Sequence, residues 1–324
     1  MVTKGAYSDD AAMTQIPAEA EIIIGDIVDP DSVQELFNTP LYNEIIVIHC
    51  ADMVTASSVS NKKLYAVNVT GTKNIIDACV KQKVKKLVYI SSTGAIPELP
   101  HGEIIREVDS FDPAAVVGGY GKTKAIATQM VLDAVKEHDL DASIVYPSSI
   151  SGPNDYCNGY FTNFIVDYVN GKIPAGIDGC FNTVDVRDLA EGIIACAEKG
   201  RKGEGYIMSS SIVSMRGLFR RISKTTGARE VKRVLSSSAA KVLAALSSFI
   251  SFLTGKPKLL TSYTLYHISR NNVFSGEKAQ QELGFRVRPF EETIRDTAVW
   301  LHNDHRICIA GENAGNLNIK VLAA

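Results

Sequence analysis

The stretch "EIIIGDIVDP", residues 21–30, constrains this chain more than any other. Three consecutive isoleucines running into Gly-Asp describe a short strand buried on both faces, which implies a parallel sheet covered by helices. The same logic continues downstream. "DPDSVQELFN" has an Asp cap and helical spacing, "NEIIVIHCA" is a strand, and "NKKLYAVNVTGTKNIIDACVKQKV" is a long amphipathic helix. "KKLVYISS" is a strand, "GYGKTKAIATQMVLDAVKEHD" a helix and "DASIVYPSS" a strand. Short β-branched runs alternating with helices require right-handed βαβ crossovers. The expected class is therefore α/β, a doubly wound parallel sheet.

After Gly152 the regularity fails. Residues 153–181 are rich in Gly, Pro, Asn and aromatics and read as loops over a binding crevice. "CFNTVDVRDLAEGIIACAEKG" returns to strand and helix. From about Gly205 a smaller mixed segment carries the helical patterns "SMRGLFRRISKTTG", "AAKVLAALSSFISFL", "SGEKAQQELG" and "PFEETIRDTAVWLHND". Residues 1–152 and 182–204 then form the sheet domain, residues 153–181 and 205–305 a substrate-binding region, and residues 306–324 a tail.

A formal charge of −2 leaves no basic excess for tracking a phosphate backbone, so nucleic acid is not the expected partner and a small molecule is. The six cysteines form no C-x-x-C pair, and Cys50, Cys79 and Cys196 fall in apolar patterns. They read as reduced, buried thiols of a cytoplasmic protein without zinc. His302 and His305, three apart, belong to a surface helix, so no metal is expected. The apolar stretch at residues 239–253 is too short and too serine-interrupted to span a bilayer. It reads as a buried or substrate-capping helix, with no stable membrane insertion.

Tyr120 and Lys124, in "YGKTK", sit four apart on a helix and point to one side of it. A phenol with a pKa of about 10 is a poor proton donor at neutral pH, and a fixed ammonium beside it stabilises the phenolate. The strand "KKLVYISS" ends in Ser91, Ser92 and Thr93, hydroxyls at the carboxyl edge of a parallel sheet, where open α/β sheets bind ligands. One of them can hydrogen-bond a substrate oxygen as charge develops on it.

At these residues the chain resembles the extended short-chain dehydrogenase/reductase superfamily, and in it the NAD-dependent epimerase/dehydratase group. "GDIVDP", "VIHCAD", "NVTGTKNIIDAC", "LVYISS" with "YGKTK", "IVYPSSISGPND" and "NTVDVRDLAEGI" follow the family's motifs in order. The resemblance implies a Rossmann-like fold with NAD or NADP as cofactor. It places Asp26 and Ile27 at the adenine, Cys50, Ala51 and Asp52 along the ribose, and Pro147 and Ser149 on the nicotinamide side. It makes Tyr120 the proton donor or acceptor and sets Lys124 on the ribose. Ser92 would hold the substrate oxygen, with Thr93 as the fallback. Asn68 falls buried in the first half of its helix. A homodimer through the "YGKTK" helix and the one before it is expected by the same analogy.

Three features depart from the family pattern. Tyr146 stands where many relatives carry Arg before the Pro, a phenol near the substrate mouth. Arg270 is followed by Asn271 and Asn272 at a spacing short for a nucleotide-sugar site, and the C-terminal segments look like the dihydroflavonol-reductase and 3β-hydroxysteroid-dehydrogenase branch. Finally, the family's first strand and glycine-rich turn need about 30 residues, whereas residues 1–20 hold one glycine and no strand. The first strand, its loop and helix and most of the second strand are thus expected to be missing. A late start site or shortened chain, a degenerate relative, or replacement by the strand-like tail at residues 316–324 would account for this, and Ile22–Ile24 would lie beside a gap. The expected function is hydride transfer to or from a hydrophobic carbonyl or alcohol. The alternatives are a nucleotide-sugar epimerase/dehydratase and a non-catalytic NAD(P)-sensing or scaffold protein.

Overall fold

The computed structural model describes residues 2–3, 16–37, 44–55, 61–236, 238–240 and 262–309. The chain divides into two compact units. The first comprises Met1–Ser148, Ala190–Met208 and Phe274–Arg286, and the second Ser149–Leu189, Ser209–Val273 and Val287–Ala324.

In the first unit β1 (Val2–Thr3) pairs in parallel with β2 (Ile24–Gly25). A separate parallel sheet runs β3 (Ile46–His49), β4 (Lys86–Ile90), β5 (Ala142–Pro147) and then the strand Gly205–Met208. Every residue of β4 and β5 is buried, as the apolar runs require of central parallel strands. The sheet thus reaches past the boundary expected at residue 204. Gly205 enters it because its backbone lies against Tyr146, where a Cβ would come within 2.3 Å of the ring.

The strand expected over "EIIIGD" shortens to two residues. Its partner β1 is equally short, and Ile22 and Ile24 are 39% and 71% exposed. β3 is an edge of its sheet, with Ile46 and Ile48 exposed.

The helices follow their sequence signals. α1 (Pro30–Glu35) starts at Asp29, whose side chain accepts from Asp31 N, with Pro30 at the first turn. The long helix predicted over "NKKLYAVNVTGTKNIIDACVKQKV" comprises α2 (Lys62–Tyr65), capped by Asn61, a π-helical turn at Ala66–Gly71, and α3 (Thr72–Gln82), closed by a left-handed Lys83. α4 (Gly119–His138) carries "YGKTK". Ile75, Cys79, Leu87, Tyr89, Val131 and Ile144 form the core between helices and sheet. Cys79 and Cys196 are buried as expected, but Cys50 is exposed because it follows the edge strand β3.

In the second unit Cys180–Asp185 is the central strand, antiparallel to Ser211–Ser214 and parallel to Ser149–Ser151. The loops expected over residues 153–181 contain a helix at Tyr160–Val169. Flanking Gly and Asn obscured its helical spacing, which places Ile165 and Tyr168 in the core. Tyr168 stacks on Phe219 of the helix Met215–Thr226 at 5.0 Å between ring centroids, and Tyr168 Oη lies 2.7 Å from Ser223 Oγ. The "VDVRD" motif is a structural lock here. Arg187 binds Asp185 at 2.8 Å and Asp296 at 2.7 Å, Thr293 Oγ1 donates to Asp185, and Arg288 grips Asp188 at 2.7 Å. Burial alone would push the Asp185 carboxyl up, but the hydrogen bonds from Arg187 and Thr293 reverse this and hold it below its ordinary value.

Among the described residues no helix is long and apolar enough to cross a membrane, and no cluster of side chains could hold a metal. Most of the apolar 239–253 stretch and the whole 316–324 tail lie outside the described residues.

Candidate active site

β3, β4 and α4 bring Asp52, Tyr120 and Lys124 together in the first unit. Tyr120 Oη donates to Asp52 Oδ2 at 2.9 Å, and Lys124 Nζ lies 3.0 Å from the same oxygen. Lys124 is buried; its ammonium also donates to Ile90 O at 2.8 Å, at the end of β4, and sits 5.2 Å from the Tyr89 ring centroid. This embedding keeps the lysine charged although burial alone would lower its pKa, because Tyr89, Asp52 and Tyr120 more than compensate.

Hydrogen bonds fix the backbone around this group. Asn68, in the π-helical turn, accepts from Met53 N at 2.7 Å and donates to Met53 O at 3.0 Å, so it clamps the residue after Asp52. Its amide also donates to Thr123 Oγ1 at 3.1 Å, which in turn donates to Tyr120 O at 2.8 Å. Thr72 Oγ1 gives its proton to Asn68 O, so the 3.0 Å contact with His49 must use a protonated His49 Nε2. Burial pushes His49 down to about 3, and the ring is neutral.

The end of β4 separates the candidate hydroxyls. Ser91 is buried and bonds Thr128 at 2.7 Å; Thr93 is buried and donates to Pro147 O at 3.2 Å. Ser92 is partly exposed, and its oxygen accepts from Gly94 N at 3.0 Å, which leaves its proton for a ligand oxygen. Gly121 allows α4 to approach this turn: a Cβ there would lie 2.6 Å from Gly94 O.

The remaining sequence-derived residues are more dispersed. Asp26 is exposed and its carboxylate accepts from Val28 N at 2.9 Å. Ile27 is buried against Gly71, where an added Cβ would come within 2.7 Å of it, and Asn74 ties Ile27 O to α3 at 2.9 Å. Cys50 is exposed and Ala51 half-buried, directly before Asp52. Pro147 ends β5 in the first unit, whereas Ser149 opens a strand of the second. Tyr146 is not at a substrate mouth: it is buried, with its ring stacked on Phe111 at 5.7 Å. Arg270 lies over the Tyr266 ring at 5.6 Å, in the second unit.

The sequence reading gave Asp52 no partner and Asn68 no role beyond burial. The signal for Asp52 was its place three residues past the end of β3; that for Gly121 was a glycine inside a helix, beside Tyr120. The donors present suit the ribose and nicotinamide end of a nicotinamide dinucleotide. Tyr120 and Lys124 offer hydrogen bonds to ribose hydroxyls, and the buried Ser148 Oγ, directly after Pro147, has no partner.

The sequence profile of the NAD dependent epimerase/dehydratase family matches residues 3–209. The chain is 24% identical over 298 residues to Sterol demethylase protein B of Methylococcus capsulatus, covering 90% of this chain and 88% of that one. It is 27% identical over 293 residues to Sterol-4-alpha-carboxylate 3-dehydrogenase ERG26, decarboxylating, of Saccharomyces cerevisiae, covering 86% and 82%. The crystal structure of gox2253 superposes with a TM-score of 0.79 at 30% identity, covering 94% of this chain and 90% of that chain. With more than half of its length matched, a Rossmann-like sheet and a tyrosine–lysine pair at the sheet's edge, the chain belongs to the NAD dependent epimerase/dehydratase family, whose members are enzymes that use a nicotinamide cofactor.

Proposed function

We propose that this chain is an NAD(P)-dependent oxidoreductase of the extended short-chain type acting on a hydrophobic carbonyl or alcohol. The observation that carries this reading is the placement of Tyr120 and Lys124 four apart on α4, with Lys124 Nζ 6.0 Å from the centroid of the Tyr120 ring. Two relatives with sterol names favour an apolar substrate over a nucleotide sugar.

When bound, the cofactor supplies or takes the hydride. Tyr120 gives a proton to the substrate oxygen in reduction and takes one back in oxidation. Lys124 binds the ribose and fixes the phenol, and Ser92 donates a hydrogen bond to the substrate oxygen as it gains negative charge. Asp26, Ile27, Cys50, Ala51, Asp52 and Pro147 are the residues of the first unit that would line the cofactor. A homodimer and a cytoplasmic location remain part of the proposal by family analogy.

The test is consumption of NADH and NADPH with a panel of sterol and other hydrophobic ketones, run beside nucleotide sugars with NAD whose products are followed directly because epimerisation and dehydration consume no cofactor, using wild type and Tyr120→Phe. Turnover of a hydrophobic ketone that Tyr120→Phe abolishes supports the reading. Turnover of nucleotide sugars alone would replace it with epimerase or dehydratase chemistry.

A further inference from the structure

A tyrosine–lysine pair works as acid and base without a carboxylate between its members, yet here Asp52 Oδ2 takes the Tyr120 proton at 2.9 Å and stands 3.0 Å from Lys124 Nζ. An ammonium favours phenolate. A carboxylate 2.9 Å from the phenol oxygen offsets that field, and the hydrogen bond it receives exists only while the phenol keeps its proton. Asp52 is not held there by chance contact: Asn68 clamps the next residue, Met53, through two hydrogen bonds. We propose, on the reading of Tyr120 as the acid/base, that Asp52 is a positioning residue that keeps Tyr120 protonated and confines its use as a proton acceptor to alkaline pH.

The surrounding groups leave this balance standing. From β3 and its end come His49, neutral, and Cys50, whose thiol is raised by burial and by Asp52 against Lys124. From β4 comes Tyr89, a buried phenol itself pushed up. Among the described residues Lys124 is the cation that acts on Tyr120, and burial together with Asp52 outweighs it, so Tyr120 sits well above an ordinary phenol. In reduction the phenol O–H bond breaks and an O–H bond forms on the substrate oxygen as hydride reaches its carbon. In oxidation the same oxygen must first lose its proton to solvent, and Asp52 opposes that loss.

Tyrosinate absorbance of the cofactor-free protein reads the effect directly. The chain has 12 tyrosines, so the signal of Tyr120 is the difference between wild type and Tyr120→Phe. In wild type that difference should stay flat through about pH 10, where ordinary tyrosines ionise. In Asp52→Asn it should appear about 1–3 pH units lower than in wild type, and the pH at which alcohol oxidation rises should move by the same amount. A wild-type difference that appears below about pH 9, or one that Asp52→Asn leaves in place, overturns the proposal. If Asp52→Asn does not fold, the wild-type titration and Asp52→Ser decide by the same criterion. Turnover that survives in Tyr120→Phe overturns the acid/base reading instead, and the cofactor-free titration still reports the grip of Asp52 on the phenol.

Discussion

The side-chain amide of Asn68 and the backbone of Met53 exchange two hydrogen bonds, Met53 N to Oδ1 at 2.7 Å and Nδ2 to Met53 O at 3.0 Å. The pair joins a helix to the segment after β3, and Thr123 extends the link to Tyr120. Asn68→Ala strands a part-buried donor and acceptor, so about 2 kcal/mol of stability is expected to be lost. Because the variant also frees the Asp52 segment, turnover should fall further than the melting shift explains. Urea unfolding and kcat measured on the same preparation check this.

Gly121 permits the close approach of α4 to the turn after Ser92. Gly121→Ala places a methyl 2.6 Å from Gly94 O, backbone that cannot rotate away. A stability loss of about 1–3 kcal/mol is expected. Displacing Tyr120, the adjacent residue, by about 1 Å costs on the order of 100-fold in turnover. A variant with wild-type kcat would show that α4 does not need this approach.

Asp185 and Arg187 predict an acid-dependent stability. The folded carboxyl is held below its unfolded value, so its contribution is full above about pH 4 and is lost as pH falls through the depressed folded pKa. Arg187→Met leaves Asp185 buried without that cation and should cost about 3 kcal/mol at pH 7. The sign of the pH effect then reverses: the variant recovers part of its deficit on acidification, as protonation removes the uncompensated charge. Thermal melts of both proteins from pH 7 down to about pH 2 measure the crossover.

Thiol reactivity should separate into classes. Cys50, Cys157 and Cys308 are exposed, whereas burial pushes Cys79 up to about 12 and Cys196 up to about 11. In native protein Cys157 and Cys308 should react first with a disulfide reagent, Cys50 more slowly because burial raises its thiol, and Cys79 and Cys196 only on unfolding. Fast labelling of Cys79, identified by mass spectrometry, would contradict the packing of α3.

The sheet and helices were legible in the sequence because buried parallel strands leave continuous apolar runs, as in "LVYI" and "SIVY", and caps such as Asp29 and Asn61 mark helix starts. The spacing of Tyr120 and Lys124 puts them on one side of a helix but is a weak signal alone; the hydroxyls ending β4 and the order of the family's motifs singled the pair out. The helix at Tyr160–Val169 was hidden by the Gly and Asn around it. Tyr146 was misplaced because strand alternation reports a face, not what covers it; Phe111 and Gly205 come from distant parts of the chain. The hold of Asp52 on Tyr120 was invisible for the same reason, since 68 positions separate the partners and only the sheet brings them together.

The π-helical turn at Ala66–Gly71 also makes residue count, and not only residue identity, a requirement of this segment. Each α-helical residue advances the side chains by about 100°, and a π turn absorbs one extra residue into the circuit. Deleting one position between Ala66 and Gly71 would remove that extra residue and let α2 and α3 fuse into a continuous α-helix whose flanking side chains keep their directions. The wide turn that carries Asn68 to Met53 would be lost with it. Deletion here therefore spares the packing of α2 and α3 and strikes the segment that holds Asp52.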